Sequence, residues 1–395
     1  MDKIYMDYAA TTYVDDRVLD AMIPYFKSYF GNPSSLYETG RNSKAVIETA
    51  RETLAKLIGA RQKNEIFFTS CGTESDNWAI KGAAAANSGK GRHIVTTAVE
   101  HHAVLNPCEY LERHGFEVTY LPPDHYGMVS PAQVEKAIRE DTVLVSVMYA
   151  NNEVGTINPV AEIGAVCGEK GVLFHTDAVQ AAGVLPIDVE RMHVDLLSIS
   201  AHKFYGPKGI GMLYIKNGVK LDNLMHGGGQ ERKKRAGTEN VPLIVGMAAA
   251  LKLAYENADQ ENRRIAEMRD YMIREIKTKI PDVRLNGHPS MRLPGNVNMS
   301  FEYIESEASL ISLDMAGIEC SSGSACAAGS VDASHVLLAM KVPPETAKSS
   351  LRFTLGRSTT REEIDYTVAE LVKISKRLRN ISNLFAQRKN EAKHV

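Results

Sequence analysis

The chain has 395 residues, of which 44% are hydrophobic and 24% are charged, and its formal net charge is −2. These totals exclude a strongly basic protein that binds nucleic acid or a membrane surface, and they favour a soluble globular protein with one large and one smaller domain. The longest weakly polar stretch, residues 244–254, is too short to span a bilayer, the N-terminus has no apolar signal core, and the five cysteines are irregularly spaced, so we expect a cytoplasmic protein with reduced thiols.

Seven short apolar runs predict the strands of one sheet. Several of them are apolar on both faces, which is typical of a sheet covered by helices on both sides. Amphipathic segments at residues 43–58 and 131–141 lie between the runs, so the order of elements predicts a mostly parallel sheet with flanking helices. The predicted strands are residues 65–70, 92–99, 116–121, 142–150, 171–178, 194–200 and 209–216.

A second, smaller α+β domain is expected after this sheet. A long polar helix, roughly residues 255–279, leads into it, and it continues through the apolar run 296–303 and a C-terminal helix at 361–380. We therefore expect a large domain over residues 15–260 and a small domain formed by residues 1–14 and 261–395.

Polar residues follow five of the predicted strands, at the point where each strand ends. Ligands of open α/β sheets bind outside the carboxyl ends of the strands, so these residues predict a common site. They are Gly72 and Thr73, then Glu100 and His101, then Asn151 and Asn152, then Asp177 and Gln180, and finally Ser200, His202 and Lys203.

Lys203 and Asp177 suggest a particular chemistry for that site. A lysine at the sheet edge that faces an aspartate suits pyridoxal phosphate (PLP), because the lysine holds the aldehyde while the aspartate keeps the pyridine nitrogen protonated. From their own stretches alone, Lys203 is equally well a surface lysine in a turn, and Asp177 a helix N-cap.

Two segments offer groups for a phosphate. Residues 69–82 predict a strand, a tight turn and a helix start whose backbone N–H groups and Thr73 hydroxyl could receive an anion, although Thr73 and Asp76 also fit a capping box. Residues 226–240 combine glycines with a basic cluster, which is either a solvated face or a loop that brings Thr238 to a phosphate.

The run "SSGSACAAGS", residues 321–330, contains only small residues and one thiol, Cys326. Nothing in this run fills a core layer, so it is either a loop that happens to contain a cysteine or a tether for a reactive thiol. Cys320 ends a predicted strand and is expected to be structural. The sequence has no CxxC or HExxH motif, so no structural metal is expected.

Taken together, these stretches resemble the cysteine desulfurases of the NifS/IscS type, within the fold-type I (class V aminotransferase) PLP enzymes. The motifs that carry the resemblance span nearly the whole chain and include "YMDYAATT", "FTSCGTESDN", "FHTDAVQAAG", "SAHKFYGPKGIG", "RAGTEN" and "SSGSACAAGS". The wording of "SCGTESDN" and "RAGTEN" is most similar to the nitrogen-fixation branch. One departure is Cys71-Gly72, where many members are expected to have Gly-Ala or Gly-Gly.

The resemblance implies a role for each candidate residue. Lys203 forms the Schiff base, His101 stacks on the cofactor ring and moves protons, and Cys326 is the catalytic thiol. The substrate carboxylate is held by Asn152, which also counts among the cofactor-binding residues, and by Arg352. The other expected cofactor-binding residues are Gly72, Thr73, Asp177, Gln180, Ser200, His202 and, across a homodimer with shared active sites, Thr238.

The resemblance also implies the reaction and the partners. L-Cysteine would yield L-alanine and a persulfide on Cys326, carried by a mobile loop at about residues 321–335 to an iron–sulfur scaffold or another acceptor protein. No resident metal is implied, and a transient ligation of an iron–sulfur cluster by Cys326 is left open. The alternatives are a selenocysteine lyase or small-substrate aminotransferase on the same scaffold, and a sulfur-relay protein with an inactive cofactor site.

Overall fold

The structure, a computed structural model, describes residues 3–322 and 333–382. Its α-helices are α1 (Asp16–Lys27), α2 (Glu38–Leu57), α3 (Gly72–Asn87), α4 (His102–Glu112), α5 (Pro131–Ala137), α6 (Val160–Lys170), α7 (Gln230–Lys233), α8 (Val241–Glu256), α9 (Ala258–Lys279), α10 (Ser306–Met315), α11 (His335–Ala339), α12 (Pro344–Lys348) and α13 (Arg361–Ile381). Its strands are β1 (Ile4–Tyr5), β2 (Ile66–Thr69), β3 (His93–Thr97), β4 (Glu117–Leu121), β5 (Thr142–Ser146), β6 (Leu173–Asp177), β7 (Leu196–Ser200), β8 (Gly211–Ile215), β9 (Val283–Leu285), β10 (Asn296–Phe301), β11 (Ile318–Glu319) and β12 (Ser350–Thr354).

The seven predicted strands form one sheet in the order β2-β8-β7-β6-β5-β3-β4. Strand β8 runs antiparallel to both β2 and β7, and the other neighbouring pairs are parallel. The prediction of a mostly parallel seven-stranded sheet with flanking helices is therefore confirmed. Because β2 and β7 both oppose β8, the carboxyl ends of β2, β3, β5, β6 and β7 all lie at one edge.

Helices cover both faces of this sheet because most of its strands are buried on both faces. One buried cluster joins β2, β6 and β7 to α2, α6 and α8, and a second joins the opposite face to α3 and α4. Strands β5, β7 and β8 are buried at every residue. The face that receives each side chain thus follows from strand alternation, and the sheet provides a rigid floor beneath its carboxyl edge.

A separate core surrounds a three-stranded antiparallel sheet in the order β12-β10-β9. Helices α9 and α13 contribute Ile265, Met272, Ile364 and Leu371 to this core. Met6 also lies in it, because β1 pairs in parallel with β11. The N-terminal segment therefore packs with the last third of the chain.

The polar bridging helix is α9, and it begins a few residues later than predicted. Asn257 leaves helical geometry (φ −127°, ψ 21°) and separates α9 from α8. Within the described ranges, no helix combines the length and the apolar character that crossing a bilayer requires.

Candidate active site

A cavity of about 350 Å³ opens at the carboxyl edge of the large sheet. This volume lies within the range of about 300–1,000 Å³ that is usual for small-molecule sites. Ten of the predicted site residues line it: Gly72, Thr73, His101, Asn152, Asp177, Gln180, Ser200, His202, Lys203 and Arg352.

Three other predicted residues that the structure describes do not line this cavity. Glu100 and Asn151 are completely buried. Thr238 is exposed and borders a separate pocket together with Ser70, Gly209 and Glu231. Cys326 lies outside the described residues, so its predicted role stays a prediction.

Lys203 ends a short 3-10 turn, Ala201–Lys203, directly after β7. Its Nζ donates hydrogen bonds to the carbonyl oxygens of Ala9 at 2.5 Å and Ala10 at 2.8 Å. The Ala9 oxygen also accepts from Gln180 Nε2 at 3.0 Å. The alternative of a surface lysine in a turn is thereby wrong, because the N-terminal segment covers this side chain.

Asp177 ends β6 and is 6% exposed. Its Oδ1 accepts the backbone N–H of Val179 at 2.8 Å within a turn. The alternative of a helix N-cap is wrong, because the next element after β6 is strand β7. Burial raises the Asp177 pKa to about 6, while that N–H and the charge of Lys203 favour the anion.

His101 is the N-cap of α4, and its Nδ1 accepts the backbone N–H of Ala103 at 3.0 Å. A neutral ring that accepts at Nδ1 carries its proton on Nε2. Burial, followed by the charge of Lys203, lowers the His101 pKa to about 4, so the ring is neutral at physiological pH. The neutral imidazole is thus an Nε2–H donor.

Helix α3 begins at Gly72 and directs its first turn towards the cavity. A side chain at Gly72 would place its Cβ 2.8 Å from Val179 Cγ2, so only glycine lets this turn pack so closely. The expected Thr73–Asp76 capping box is wrong, because the N-cap is Cys71 and the helix starts one residue before Thr73. Glu74 instead accepts the N–H of Ser70 at 2.6 Å.

Arg352 lies on β12 and is 3% exposed, beside Asn152. One of its terminal nitrogens, Nη1, donates to the Asn152 carbonyl at 2.9 Å, and the other, Nη2, donates to Asp7 Oδ1 at 2.8 Å. Asp7 was not singled out from the sequence, although "YMDYAATT" carries it. The only signal was the motif itself, because its partner is 345 positions away.

Both flanks of residues 323–332 are fixed next to these groups. Before them, Ser321 pairs with Arg352 through two backbone hydrogen bonds, 2.6 and 3.1 Å long. After them, the Ser334 hydroxyl bonds to Glu153 Oε2 at 2.5 Å, and His335 Nε2 donates to the Glu100 carbonyl at 3.0 Å. The segment that contains Cys326 therefore leaves and rejoins the described structure beside the cavity.

The basic cluster of residues 226–240 is more than a solvated face. Glu231 forms a buried two-pronged ion pair with Arg51, at 2.7 and 2.9 Å, and accepts the N–H of Phe68 at 3.0 Å. Arg235 pairs with Glu74 at 2.8 Å, and Arg232 lies over the ring of Phe67. These contacts fasten the segment to β2 and α3 and leave Thr238 exposed.

Side chains that could bind a metal do not cluster. Among residues 3–322 and 333–382, no group of three or more His, Cys, Asp or Glu residues is arranged to hold an ion. Cys320 follows β11, and burial raises the pKa of its thiol, which makes it a poor nucleophile.

The residues of the cavity fit PLP. The first turn of α3 supplies backbone N–H groups beside the Thr73 and Ser200 hydroxyls, which is a donor set for a phosphate. Asp177 offers a buried carboxylate for the pyridine nitrogen, and Lys203 is the amine in the same cavity.

Comparisons with known proteins agree with this arrangement. Residues 4–367 match the family model described as aminotransferase class V. The chain is 56% identical over 385 residues to a protein named cysteine desulfurase IscS from Clostridium botulinum, with 97% of each chain covered. It is also similar to a solved structure titled "NIFS-LIKE PROTEIN" (TM-score 0.89, 40% identity, 95% of this chain and 100% of that one) and to one titled "SspA in complex with cysteine" (TM-score 0.81, 38% identity, 90% and 100%).

Proposed function

Because this chain belongs to the cysteine desulfurases of the class V aminotransferase family, we propose that it uses PLP to move the sulfur of free L-cysteine onto Cys326. The C–S bond of cysteine breaks, an S–S bond forms to the Cys326 sulfur, and the former Cβ carbon gains a proton. L-Alanine and a Cys326 persulfide result, and no external oxidant or reductant is needed. The observation that carries the proposal is the convergence of Lys203, Asp177 and Arg352 on one cavity.

Bound PLP would supply an electron sink for the carbanion formed at the substrate Cα. Lys203 would hold the aldehyde carbon covalently and, once displaced by the substrate amine, would carry the Cα proton on Nζ. Asp177 would pair with the ring nitrogen. Thr73, Ser200, His202 and the first turn of α3, including Gly72, would bind the phosphate.

His101 and Gln180 are proposed to act on the ring of the cofactor. His101 would stack on it and present Nε2–H, because Nδ1 is already occupied by the Ala103 amide. Because Nδ1 accepts this bond, the neutral ring of His101 can donate a hydrogen bond only through Nε2–H. Gln180 would reach the phenolic oxygen after its amide leaves the Ala9 carbonyl.

Arg352 and Asn152 are proposed to bind the carboxylate of cysteine. A guanidinium meets a carboxylate with two parallel bonds, and this one is nearly removed from water. Its neighbour Asp7 would fix its orientation. Binding here would hold the substrate between the cofactor ring and the two anchors of the segment that contains Cys326.

We further propose a homodimer in which Thr238 of each subunit completes the phosphate site of the other. The anchored but exposed position of Thr238 supports this assignment, as does a group of exposed apolar side chains that a second copy would cover. These side chains are Tyr13, Leu19, Ile23, Phe26, Tyr29, Phe30, Leu36 and Tyr37.

Several broader assignments complete the proposal. The large domain would cover residues 15–260 and the small one residues 1–14 and 261–395, since Met6 lies in the core of α9 and α13.

The persulfide would pass to an iron–sulfur scaffold or another acceptor protein, in nitrogen fixation or in general cluster supply. We place the enzyme in the cytoplasm, where thiols stay reduced; the four cysteines of the described ranges are unpaired.

A single-turnover experiment tests the proposal. The purified protein loaded with PLP is mixed with one equivalent of L-cysteine, alanine is quantified, and the extra sulfur is mapped by peptide mass spectrometry after persulfide trapping. We expect equimolar alanine and persulfide on Cys326. Extra sulfur on Cys71 or Cys320, or amino transfer that persists in Cys326→Ser, would contradict the proposal and favour a different PLP reaction.

A further inference from the structure

Asp76 is a buried acid whose place in the structure a helix cap does not explain. It projects from α3, is 1% exposed and borders the same cavity as Asp177 and Lys203. Its Oδ1 has no hydrogen-bond partner, and the nearest basic nitrogen, His175 Nε2, is 3.6 Å away. An ionised carboxylate left in this position would be costly, because it is removed from water and lacks partners.

The histidine beside Asp76 supplies no positive charge. His175 lies on β6, two residues before Asp177 and on the same face, and both its ring nitrogens are held by hydroxyls: Nδ1 by Ser146 at 2.8 Å and Nε2 by Ser198 at 3.0 Å. Burial lowers the His175 pKa to about 3, so the ring is neutral.

Lys203 and His101 line the same cavity, but the titratable groups that act most strongly on Asp76 are acidic. Asp177, Glu100 and Cys71 each disfavour its anion, and the Ser198 side chain is its one stabilising contact. Burial, followed by the charge of Asp177, therefore raises the Asp76 pKa well above its usual range.

Asp76 and Asp177 are buried and line one cavity, and like charges removed from water favour a proton on one of the two carboxyl groups. The structure decides which of them carries it. Asp177 is held as the anion by the Val179 N–H and by Lys203, whereas Asp76 has neither an amide nor a cation. The proton therefore resides on Asp76.

We propose that Asp76 is a positioning residue of the cofactor site: a neutral carboxylic acid that leaves Asp177 as the single anion available to the pyridine nitrogen. This inference rests on the proposed function for the identity of the ring, but not for the proton on Asp76. A second anion there would compete with Asp177 for the ring proton.

The matched variants are Asp76→Asn and Asp177→Asn in the full-length protein. An amide has the shape and neutrality of a protonated carboxyl, so Asp76→Asn is expected to bind PLP within about threefold of the wild type, measured by equilibrium dialysis. Asp177→Asn is expected to weaken PLP binding at least tenfold. If Asp76→Asn weakens binding as much as Asp177→Asn, Asp76 is an anion and the inference is wrong.

A second readout needs neither PLP nor turnover. In the apoprotein at pH 7, the infrared difference spectrum of wild type minus Asp76→Asn should contain the C=O stretching band of a protonated carboxyl. The wild type alone, with ¹³C-labelled aspartate, should show this band if the variant folds poorly. Absence of the band overturns the inference. PLP binding that fails in the wild type while the band is present would refute the proposed function only.

The pH dependence of the free energy of unfolding also tests whether Asp76 carries a proton, and the direction of the expected change is defined. The folded pKa of Asp76 is raised above its value of about 3.9 in the unfolded chain, so the folded state holds a proton that the unfolded state releases. The contribution of Asp76 to folding stability is therefore fully present below about pH 3.9, the unfolded pKa, and is lost as pH rises. Asp76→Asn should therefore gain stability over the wild type as pH rises from 5 to 8, and an identical pH dependence of the two proteins would overturn the inference.

Discussion

Replacing Arg352 by alanine should weaken the capture of cysteine without removing the cofactor. The side chain is 3% exposed, and both terminal nitrogens are aimed by fixed acceptors, the Asn152 carbonyl and Asp7 Oδ1. Its Nε has no partner in the structure. A desolvated, two-pronged contact with a carboxylate is therefore prepared in advance, and its loss costs about 2–5 kcal/mol.

That free energy corresponds to a fall in kcat/KM of about 30- to 4,000-fold, at 1.4 kcal/mol for each factor of ten. Arg352→Lys keeps the charge but not the planar fork, so an intermediate loss is expected. The assay is initial-rate alanine formation over a range of cysteine concentrations, with the PLP absorption spectrum and a thermal melt recorded on each variant. The spectrum should be unchanged.

Arg357 provides the matched control. It also pairs with an aspartate, Asp15 at 3.4 Å, and stacks on Tyr205. It does not border the cavity that contains Asp177 and Arg352, although it lines a neighbouring cavity that Lys203 also borders. Arg357→Ala should retain kcat/KM within about threefold. The reasoning fails if Arg352→Ala has wild-type kcat and KM, or if the control loses as much activity with a similar melt.

Three further changes test other parts of the site. Lys203→Ala should abolish alanine formation and the covalent link to PLP, seen by mass spectrometry after borohydride reduction; wild-type turnover would remove the PLP assignment. Cys326→Ser should abolish sulfide and alanine release while cysteine still changes the PLP spectrum, and Cys320→Ser should keep its activity in the same assay. Glu231→Ala leaves Arg51 without its buried partner and should destabilise the fold by about 3–5 kcal/mol, lowering the urea midpoint; an unchanged midpoint would show that the pair contributes no net stability.

The architecture was predictable because most strands of the large sheet are short runs that are buried at every residue, although β4 at the sheet edge is buried only at Leu121. Residues 66–69 and 196–200 are examples, since their composition alone distinguishes them from the amphipathic helices beside them. The sequence did not indicate which strand of the sheet runs antiparallel, and the structure shows that it is β8. The two-residue strands β1 and β11 are too short to show a periodic pattern in the sequence. They are strands because they pair with each other, although they are far apart along the chain.

The site was predictable to the extent that its residues follow strand ends. His101, Asp177 and Lys203 occupy such positions, and the parallel sheet brings them together. Asp7 and Asp76 were missed as site residues because their environment, not their local pattern, defines them. Asp76 matches a capping motif in sequence, yet the helix begins at Gly72, one residue before Thr73, and this aspartate is buried.

The contact of Asp7 with Arg352 also bears on how the protein is made. Asp7 and Arg352 are separated by 345 positions, and β1 likewise cannot pair until β11 has been synthesised. At about 5–20 residues per second, a ribosome needs about 20 to 70 seconds to bridge that interval. During this time the large sheet can form while Met6 and its neighbours have no core to enter. The nascent N-terminus therefore lacks this core for most of synthesis, and Arg352 acquires its contact with Asp7 only when synthesis is almost complete.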